Sequence, residues 1–349
     1  MSDRRKILLI RTDASAEIGG GHVMRCLALA QAWRDNGGKV VFATAQLTPG
    51  LRSRLENESI EICDLMVAPG GKRDLDSTLK LARVCVPEAV VVDGYHFGGA
   101  FQSVLVDAGF RVLFIDDYGH ASKYSATWVL NQNISAYPEL YKERYRNTRL
   151  LLGPKYALLR REFVKLKHHK PIAENVRKIL ITMGASDPQN ATLKILSAMR
   201  SISSKKFEIE VIVGGDSPNL EDIQNVAESM SQRTDVLFDV KNMYHHLKDA
   251  DIVVTAGGST CWEAACLGLP NIILTFADNQ VAIAQGLERA KAARNLGRCN
   301  EVSQEIIAST ISNVISSFEL RNAMSYSAQS LVDGKGAHRV LGKLNSFVE

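Results

Sequence analysis

A strand-and-turn opening occurs twice in the chain of 349 residues, once near its start and once halfway along. The first copy reads KILLIR at 6–11 and the second reads KILITM at 178–183, and each runs into a turn of small residues and then a helix. Short apolar strand patterns alternate with amphipathic helical patterns around them, which is typical of parallel α/β sheets. The repeat therefore predicts two similar Rossmann-like α/β halves rather than one long domain.

A charged, weakly periodic segment at 160–178 separates the two halves and contains Pro171. We place the domain boundary there, which gives an N-terminal domain over 1–165 and a C-terminal domain over 166–349. In open sheets of this class, ligands bind beyond the carboxyl ends of the strands. The turns that follow the strands are therefore the places to look for chemistry.

The turn after the first strand ends in three glycines and a histidine, within IRTDASAEIGGGHVMR at 10–25. The glycines are Gly19, Gly20 and Gly21. They lack Cβ atoms, so the backbone can approach a ligand closely, and the start of the next helix favours negative charge. His22 and Arg25 open that helix, and imidazoles titrate near pH 6.5, which suits proton transfer. The turn predicts a site for a phosphorylated or nucleotide-linked substrate, with Asp13 as a candidate for orienting His22.

Two further strand ends carry polar clusters. AVVVD at 89–93 continues into Gly94-Tyr95-His96, and RVLFI at 111–115 continues into Asp116-Asp117-Tyr118. Because the carboxyl ends of parallel strands meet at one edge of a sheet, we expect both clusters to face the same crevice as His22. From the residues alone, a surface or core role for Tyr95 and His96 stays open.

The most specific stretch of the second half is VVTAGGSTCWEAACLGLPNIILTFADNQ at 253–280. A strand there meets a turn whose last residues are Gly258, Ser259 and Thr260. The next helix then begins with exposed N–H donors and two hydroxyl groups, which suits a diphosphate. Glu263 lies one helical turn inward. Its carboxylate can bind ribose hydroxyls there, or it can simply be a first-turn carboxylate that the helix dipole stabilises. Asn279 and Gln280 leave the next strand end on the side of the sugar.

Composition limits the expected partners and compartment. The net charge of +4 is compatible with an anionic small molecule and lacks the concentrated basic stripe of nucleic-acid-binding proteins. The first eleven residues hold four consecutive apolar residues, and no apolar run approaches about 18, so we expect neither a signal peptide nor a membrane span. Six scattered cysteines without a CxxC pair indicate a reduced cytoplasmic protein. We expect a monomer without metal, cofactor, nucleic-acid or membrane partner.

These motifs carry a resemblance that covers nearly the whole chain. The order Gly-Gly-Ser-Thr, Glu263, Gly268-x-Pro270 and Asn279-Gln280 resembles the nucleotide-sugar domain of the MurG-like GT-B proteins. With the N-terminal turn, MGASDPQN at 183–190 and LLGPKYALLRREF at 151–163, the chain resembles the UDP-2,4-diacetamido-2,4,6-trideoxy-β-L-altropyranose hydrolases of pseudaminic acid biosynthesis. The resemblance implies a GT-B-like fold, with two Rossmann-like α/β domains facing across a cleft, and a UDP-sugar as substrate.

The resemblance also implies roles for individual residues. The catalytic histidine of that family falls on His22, the tyrosine after the Asp-x-Tyr strand end falls on Tyr95, and the asparagine of the Asn-Gln pair falls on Asn279. The residues that we assign to binding the substrate or its UDP group are Asp13, Gly19, Gly20, Gly21, Arg25, Met183, Gly184, Ser186, Asp187, Gly258, Ser259, Thr260, Glu263 and Gln280.

The implied reaction is hydrolysis of the anomeric C–O bond by water with inversion, in the pathway that supplies pseudaminic acid for flagellin glycosylation. A GT-B glycosyltransferase with a UDP-sugar donor is the closest alternative, because function lives in the site rather than in the fold. A UDP-N-acetylhexosamine 2-epimerase would place extra carboxylates around the sugar, a pattern that we do not find. A non-catalytic nucleotide-sugar sensor would bind UDP without needing His22, which could then be a capping or packing residue.

Overall fold

A computed structural model of the chain describes residues 6–15, 17–165, 171–202, 206–215 and 217–345. The chain divides into two compact units, the first made of Met1–Val164 with Gly334–Glu349 and the second of Lys165–Asp333. Part of the predicted boundary segment, 166–170, lies outside the described residues. Each unit contains one parallel sheet flanked by helices, so the predicted pair of Rossmann-like α/β domains is confirmed.

Seven parallel strands form the sheet of the first unit, in the order β3-β2-β1-β4-β5-β6-β7. They are β1 (Ile7–Thr12), β2 (Lys39–Thr44), β3 (Glu61–Asp64), β4 (Ala89–Asp93), β5 (Val112–Ile115), β6 (Trp128–Asn131) and β7 (Arg149–Leu152). Strand β1 pairs with β2 on one side and with β4 on the other. The direction of chain progression reverses between β1 and β4, and such a switch point is where ligands bind in doubly wound folds.

Helices cover this sheet because alternate residues of each strand point to opposite faces. They are α1 (Gly21–Asp35), α2 (Pro49–Asn57), α3 (Lys72–Cys85), α4 (Gly99–Asp107) and α5 (Arg161–Lys165), with 3₁₀ turns at Pro138–Tyr141 and Pro154–Tyr156. In β1, Leu8 and Ile10 pack in the core that contains α1, whereas Leu9 packs in the core that contains α4. Each such buried side chain contributes roughly 1.5–3 kcal/mol.

The second unit repeats the arrangement with six parallel strands in the order β10-β9-β8-β11-β12-β13. The strands are β8 (Lys178–Thr182), β9 (Glu208–Val213), β10 (Thr234–Phe238), β11 (Ile252–Thr255), β12 (Asn271–Thr275) and β13 (Ala293–Arg298). The helices are α6 (Ala191–Met199), α7 (Leu220–Glu228), α8 (Met243–Asp249), α9 (Thr260–Leu267), α10 (Asp278–Arg289), α11 (Gln304–Ser316) and α12 (Phe318–Leu331). Its switch point lies between β8 and β11, the counterparts of β1 and β4.

The last helix, α13 (Gly336–Asn345), belongs to the first unit. Its Val340, Leu341 and Leu344 are buried in the same core as Leu8 and Ile10. The C-terminal domain predicted over 166–349 is therefore too long, because the chain returns to the first unit after Asp333. An apolar helical stripe predicts that a helix packs, but it does not specify which of two cores receives it.

Two edge strands were not predicted from the sequence. Half of the residues in the β13 pattern ARNLGR are polar, and β3 contributes only four residues. Both strands have a sheet neighbour on one side, so their sequences lack the continuous apolar run of a central parallel strand.

The structure also bears on membrane-spanning helices and on the cysteines. No helix among the described residues is both long and apolar enough to cross a membrane. All six cysteines are free thiols, and four of them are buried.

Candidate active site

His22 is the second residue of α1, and it follows the turn that leaves β1 at the switch point of the first sheet. Gly19 adopts a φ of +75°, which favours glycine, and a Cβ on Gly20 would lie 3.3 Å from Leu51 Cδ1. Gly21 is exposed and starts the helix, and the N-cap residue Gly20 supplies no side-chain cap. The first turn of α1 therefore offers backbone N–H groups, which suit an anion.

Asp93, the last residue of β4, holds the His22 imidazole. Its Oδ1 lies 2.7 Å from His22 Nδ1, and the pairing of β1 with β4 sets Thr12 beside Asp93. An ionised carboxylate only accepts hydrogen bonds, so Nδ1 carries the proton and Nε2 keeps its lone pair. His22 is also only 6% exposed. Because burial and the contact with Asp93 both hold the ring, its Nε2 atom is a base of fixed direction.

Arg25 lies one helical turn after His22 and binds two carboxylates. Its Nε and Nη2 donate to both oxygens of Asp93 at 2.6 Å, and its Nη1 donates to Asp117 Oδ1 at 2.7 Å. Burial raises the pKa of Asp93, but the charge of Arg25 and the hydrogen bonds from Arg25 and His22 together outweigh burial and hold that pKa well below its usual range. Asp93 therefore stays ionised and keeps accepting from His22.

Tyr95 follows β4 and lies against His22. Its hydroxyl donates to Asp117 Oδ2 at 2.7 Å, and the two rings pack edge to face with centroids 4.7 Å apart. Tyr95 is 38% exposed, so part of its ring faces solvent. The prediction that the ends of β4 and β5 share an edge with His22 is confirmed, and His22, Arg25 and Tyr95 form one cluster.

Asp13 lies on the same edge but contacts a different set of groups. Its carboxylate is fully buried, and four groups contact it at 2.7–3.0 Å. They are the backbone N–H groups of Ala45 and Gln46 and the side chains of Arg11 and His96. The expectation that Asp13 orients His22 is therefore wrong, because that contact is made by Asp93. Asp13 instead joins the ends of β1, β2 and β4.

His120 is a nearby titratable group that sequence reasoning missed. Its Nε2 donates to the backbone carbonyl of Phe97 at 3.0 Å, and its Nδ1 lies 3.3 Å from Asp116 Oδ1. Burial lowers the pKa of His120, but Asp116 raises it by more, so the net shift is upward. The centroid of its ring lies 5.6 Å from that of the Tyr95 ring and 5.7 Å from that of the Tyr118 ring. Asp116 and His120 lie in a loop, where the i,i+4 rule of helices does not apply, so no local sequence signal indicated this pair.

The predicted diphosphate turn follows β11 at the switch point of the second sheet. Gly257 is closely packed, since a Cβ there would lie 2.8 Å from Gln280 Cβ and 2.9 Å from the Gln280 carbonyl oxygen. The next three residues are exposed or partly exposed: Gly258, Ser259 and Thr260. Ser259 is the N-cap of α9 and makes no side-chain cap, but the N–H groups of Cys261 and Trp262 already donate to the carbonyls of Gly258 and Ser259 at 3.1 and 3.0 Å, so a ligand would meet the start of α9 at Ser259 and Thr260.

The remaining predicted ligands of this turn differ in exposure. Glu263 is buried in the first turn of α9, whereas Asn279 is exposed in the first turn of α10. Gln280 Oε1 accepts from the backbone N–H of Phe276 at 3.0 Å. Gln280 therefore fixes the turn between β12 and α10, and Asn279 is accessible beside it.

The MGASDPQN segment leads from β8 into α6. Met183 is buried in the core of the second unit, and the Asp187 carboxylate accepts from two backbone N–H groups of α6 at 2.7 and 2.9 Å. Gly184 is exposed with a φ of +90°, and Ser186 is partly exposed. The structure thus gives Met183 and Asp187 packing and capping contacts, and it leaves Gly184 and Ser186 accessible to a ligand.

The two clusters differ in what they can do chemically. The first offers an oriented imidazole beside an exposed tyrosine, which suits proton transfer. The second offers backbone N–H groups and hydroxyls, which suit a phosphate. Within the ranges that the structure describes, no group of three or more His, Cys, Asp or Glu side chains is arranged to hold a metal ion.

Comparison with known sequences gives one domain family and several relatives. Residues 178–340 match the glycosyltransferase family 28 C-terminal domain. The spore coat polysaccharide biosynthesis protein SpsG of Bacillus subtilis is 30% identical over 241 residues, which cover 68% of this chain and 70% of that protein. The UDP-2,4-diacetamido-2,4,6-trideoxy-β-L-altropyranose hydrolase of Campylobacter jejuni is 23% identical over 81% of this chain and 96% of that protein.

Other matches concern length and fold. An uncharacterized protein of Methanocaldococcus jannaschii is 29% identical over 77% of this chain, which spans only 55% of that relative. Among solved structures, MurG of Acinetobacter baumannii matches with a TM-score of 0.69 and 16% identity, over 98% of this chain and all of the other. The MnaA–UDP co-structure of S. aureus matches with a TM-score of 0.68 and 12% identity, over 98% and 97%. These likenesses show that the fold is of the GT-B type.

Proposed function

The chain belongs to the family of the spore coat polysaccharide biosynthesis protein SpsG, and we propose that it hydrolyses a UDP-linked sugar. The proposed substrate is UDP-2,4-diacetamido-2,4,6-trideoxy-β-L-altropyranose, and the products are UDP and the free sugar used in nonulosonic acid biosynthesis. The name and coverage of the Campylobacter jejuni relative support this choice of substrate. The motif at the His22 turn supports the same choice.

The observation that carries the proposal is the His22–Asp93 pair. A general base for water must be neutral, fixed in direction and able to reach its proton. The 2.7 Å contact with an ionised Asp93 fixes the tautomer of His22 and leaves the lone pair on Nε2. Arg25 Nη2 lies 3.1 Å from the same Nδ1 atom, but an Nδ1 that donates to Asp93 cannot also accept from Arg25, so the hydrogen bonds of Arg25 here go to the Asp93 carboxylate. Such an arrangement suits proton abstraction better than a capping role.

The proposed step balances as an inverting displacement. The His22 Nε2 atom takes one proton from water while the water oxygen forms a bond to the anomeric carbon. The bond between that carbon and the β-phosphate oxygen breaks, and its electron pair leaves with UDP. The proton on His22 then passes to solvent. A positioned base of this kind typically contributes about 10²–10⁴ in rate.

In this proposal, the second unit binds the UDP group. Negative charge grows on the β-phosphate oxygen as the C–O bond breaks, and preorganised N–H donors stabilise such charge. The first turn of α9, with Ser259 and Thr260, supplies these donors in the proposal. Glu263 binds the ribose, and the exposed Asn279 contacts the sugar.

A glycosyltransferase with a UDP-sugar donor is the second candidate. The match of residues 178–340 to the glycosyltransferase family 28 C-terminal domain is the observation that favours it. The same base would then deprotonate an acceptor hydroxyl rather than water, and the donor chemistry would be unchanged. The two functions therefore differ in the nucleophile, which a donor-only reaction can identify.

The test is proton NMR of the purified protein with the proposed UDP-sugar and no acceptor, in EDTA. Hydrolysis predicts signals of UDP and of the free sugar, with the initial anomer inverted relative to the substrate. The control is His338→Ala, an exposed histidine of α13, which should hydrolyse at the wild-type rate. An unchanged spectrum from protein that still binds UDP would favour the transferase, and a new UDP-linked epimer would favour an epimerase.

A further inference from the structure

Tyr118 presents an exposed aromatic ring in the loop after β5. The residue is 47% exposed, although the backbone around it is held from more than one side. The buried Asp116 Oδ1 accepts from the backbone N–H groups of Tyr118 and Gly119 at 2.9 and 3.0 Å. A Cβ on Gly119, whose φ is +79°, would lie 3.0 Å from the carbonyl oxygen of Leu140, so the loop packs closely against the 3₁₀ turn there. The Tyr118 ring therefore extends into solvent from a well-held backbone.

Three rings at this edge of the sheet contact one another. The centroid of the Tyr118 ring lies 5.3 Å from that of Tyr95 and 5.7 Å from that of His120, and the centroids of Tyr95 and His120 are 5.6 Å apart. The His120 side chain is only 9% exposed, donates to the Phe97 carbonyl and packs on the buried Phe114. His120 therefore supports the two tyrosine rings from the inside, and the tyrosines form the exposed surface.

This aromatic surface adjoins the proposed base. Tyr95 packs edge to face on His22 with ring centroids 4.7 Å apart, and Tyr118 packs on Tyr95 in turn. Both separations are those of rings in direct contact. The surface around His22 thus continues through Tyr95 to Tyr118. In the proposed reaction, the anomeric carbon reacts near His22, so the sugar that carries this carbon lies beside the tyrosine rings.

The charges beside the aromatic surface disfavour a phosphate group. Burial and the charges of Asp116 and Asp117 raise the pKa of the Tyr118 hydroxyl. The Arg25 guanidinium donates to Asp117 and to Asp93, so its positive charge faces two carboxylates. The cluster of these three carboxylates and one guanidinium stays negative even when the nearby imidazole is protonated. It therefore repels a diphosphate, whereas it exerts no such force on an uncharged sugar.

Exposed aromatic rings favour ligands that carry C–H groups. Tyrosine combines a large apolar area with a polar hydroxyl, and a mostly apolar lining with few polar groups is typical of small-molecule sites. The sugar of the proposed substrate carries two acetamido groups and, as a 6-deoxy sugar, a terminal methyl group. It is uncharged and bears methyl groups that leave water when they pack on a ring, which stabilises the complex.

We propose that Tyr118 is a specificity-determining residue whose ring, together with that of Tyr95, packs against the methyl-bearing groups of the uncharged sugar. The inference rests on the proposed hydrolysis of a UDP-linked sugar, and it names the part of the substrate that the first unit recognises. Tyr118 takes no part in making or breaking bonds. Loss of its ring should therefore weaken binding of the sugar without slowing the chemical step.

The first measurement is steady-state UDP release by three variants. Tyr118→Ala removes the ring, Tyr118→Phe keeps the ring without its hydroxyl, and Tyr326→Ala removes a 79% exposed ring of α12 as the matched control. We expect Tyr118→Ala to raise KM about tenfold with kcat changed by less than about threefold. Tyr118→Phe and Tyr326→Ala should both stay within about threefold of the wild type. An unchanged KM in Tyr118→Ala, or equal damage from Tyr118→Phe, would overturn the proposal.

The second measurement separates the sugar from the nucleotide. UDP lacks the sugar, so its Kd in calorimetric titration of Tyr118→Ala should stay within about threefold of the wild-type value. A loss of UDP affinity as large as the rise in KM would show that the substitution disturbs the protein generally, and the proposal would be overturned.

The third measurement does not depend on turnover. His22→Ala, deuterated except at tyrosine, is mixed with the UDP-sugar, and the transfer of saturation from tyrosine ring protons to the acetamido and C6 methyl protons is recorded by NMR. We expect strong transfer that is largely lost when Tyr118→Ala is added and is kept when Tyr326→Ala is added. Equal transfer with and without the Tyr118 ring would overturn the proposal.

The failure of this inference and that of the proposed function give different results. If the wild-type protein releases no UDP while methyl transfer depends on Tyr118, hydrolysis is wrong and the contact with the sugar stands. If UDP is released and neither KM nor methyl transfer depends on Tyr118, hydrolysis stands and the role of Tyr118 is wrong.

Discussion

The carboxyl edges of the two sheets hold their polar groups in opposite ways. In the first unit, buried side chains hold one another: Asp93 and Arg25 are 2.6 Å apart, and each contacts His22. In the second unit, the accessible groups are Ser259 and Thr260 at the start of α9. A fixed tautomer needs a surrounding shell, whereas a phosphate needs only convergent N–H groups. In the proposed function, proton transfer is assigned to the first edge and nucleotide binding to the second.

The largest effect is expected from Asp93, since its carboxylate accepts from both His22 and Arg25. In Asp93→Asn, the amide NH₂ group can take either oxygen position. At Oδ1 it would donate to His22 Nδ1 and move the imidazole proton to Nε2, and at Oδ2 it would place one donor against another, the Nε–H of Arg25. We expect kcat to fall by about 10²–10⁴, as for other loss of an orienting carboxylate. Asp93→Ala should in addition lower the free energy of unfolding by about 3–5 kcal/mol, because Arg25 keeps a buried charge.

The measurement is steady-state UDP release together with urea unfolding. Asp107→Asn, at the exposed end of α4, is the control for a lost surface charge. Wild-type turnover in Asp93→Asn would show that the orientation of His22 is not needed.

An intermediate effect is expected at Gly257, where the second edge tolerates no side chain. A Cβ there would meet Gln280 at 2.8–2.9 Å, so the start of α10 must move away from the turn. We expect Gly257→Ala to weaken UDP binding about tenfold and to destabilise the protein by about 1–3 kcal/mol. Calorimetric titration with UDP measures the change, and Gly342→Ala, which meets no atom within 4 Å, is the control. Unchanged UDP affinity would separate this turn from the nucleotide site.

The smallest effect is expected from His120, whose charge supports the loop after β5. Asp116 raises the pKa of His120 above its unfolded value, so its contribution to stability is present at pH below about 6.5 and is lost as the pH rises through the folded value. We expect the free energy of unfolding of the wild type to exceed that of His120→Gln by on the order of 1 kcal/mol at acidic pH.

This difference should shrink on going to mildly alkaline pH. Urea unfolding at a series of pH values measures it. A difference that grows with pH would mean that His120 is held neutral.

The sequence predicted the strands that lead into both sites, because their apolar runs and small-residue turns are local signals. It also placed the ends of β4 and β5 beside His22, since the edge of a parallel sheet collects such residues. It named Asp13 rather than Asp93 as the partner of His22, because the partner depends on which strand pairs with β1. The register that sets Thr12 beside Asp93 joins residues 81 positions apart, and no local pattern encodes it.

The position of α13 was hidden for a similar reason. Its apolar stripe fits either core, and only the long-range packing of Leu341 and Leu344 assigns it to the first unit. His120 lies in a loop without periodicity, so its pairing with Asp116 depends on a turn geometry that composition does not reveal. The roles of Asn279, Glu263 and the glycine turns stay predictions, because they concern a ligand.

The most direct test of the account compares turnover with nucleotide affinity in His22→Ala. Removal of the His22 imidazole should lower kcat for UDP release by about 10²–10⁴. The Kd for UDP, measured by calorimetry on the same protein, should change by less than about threefold, because the nucleotide is assigned to the second edge. Equal losses of turnover and affinity, or wild-type turnover in His22→Ala, would contradict the assignment of proton transfer to the first edge.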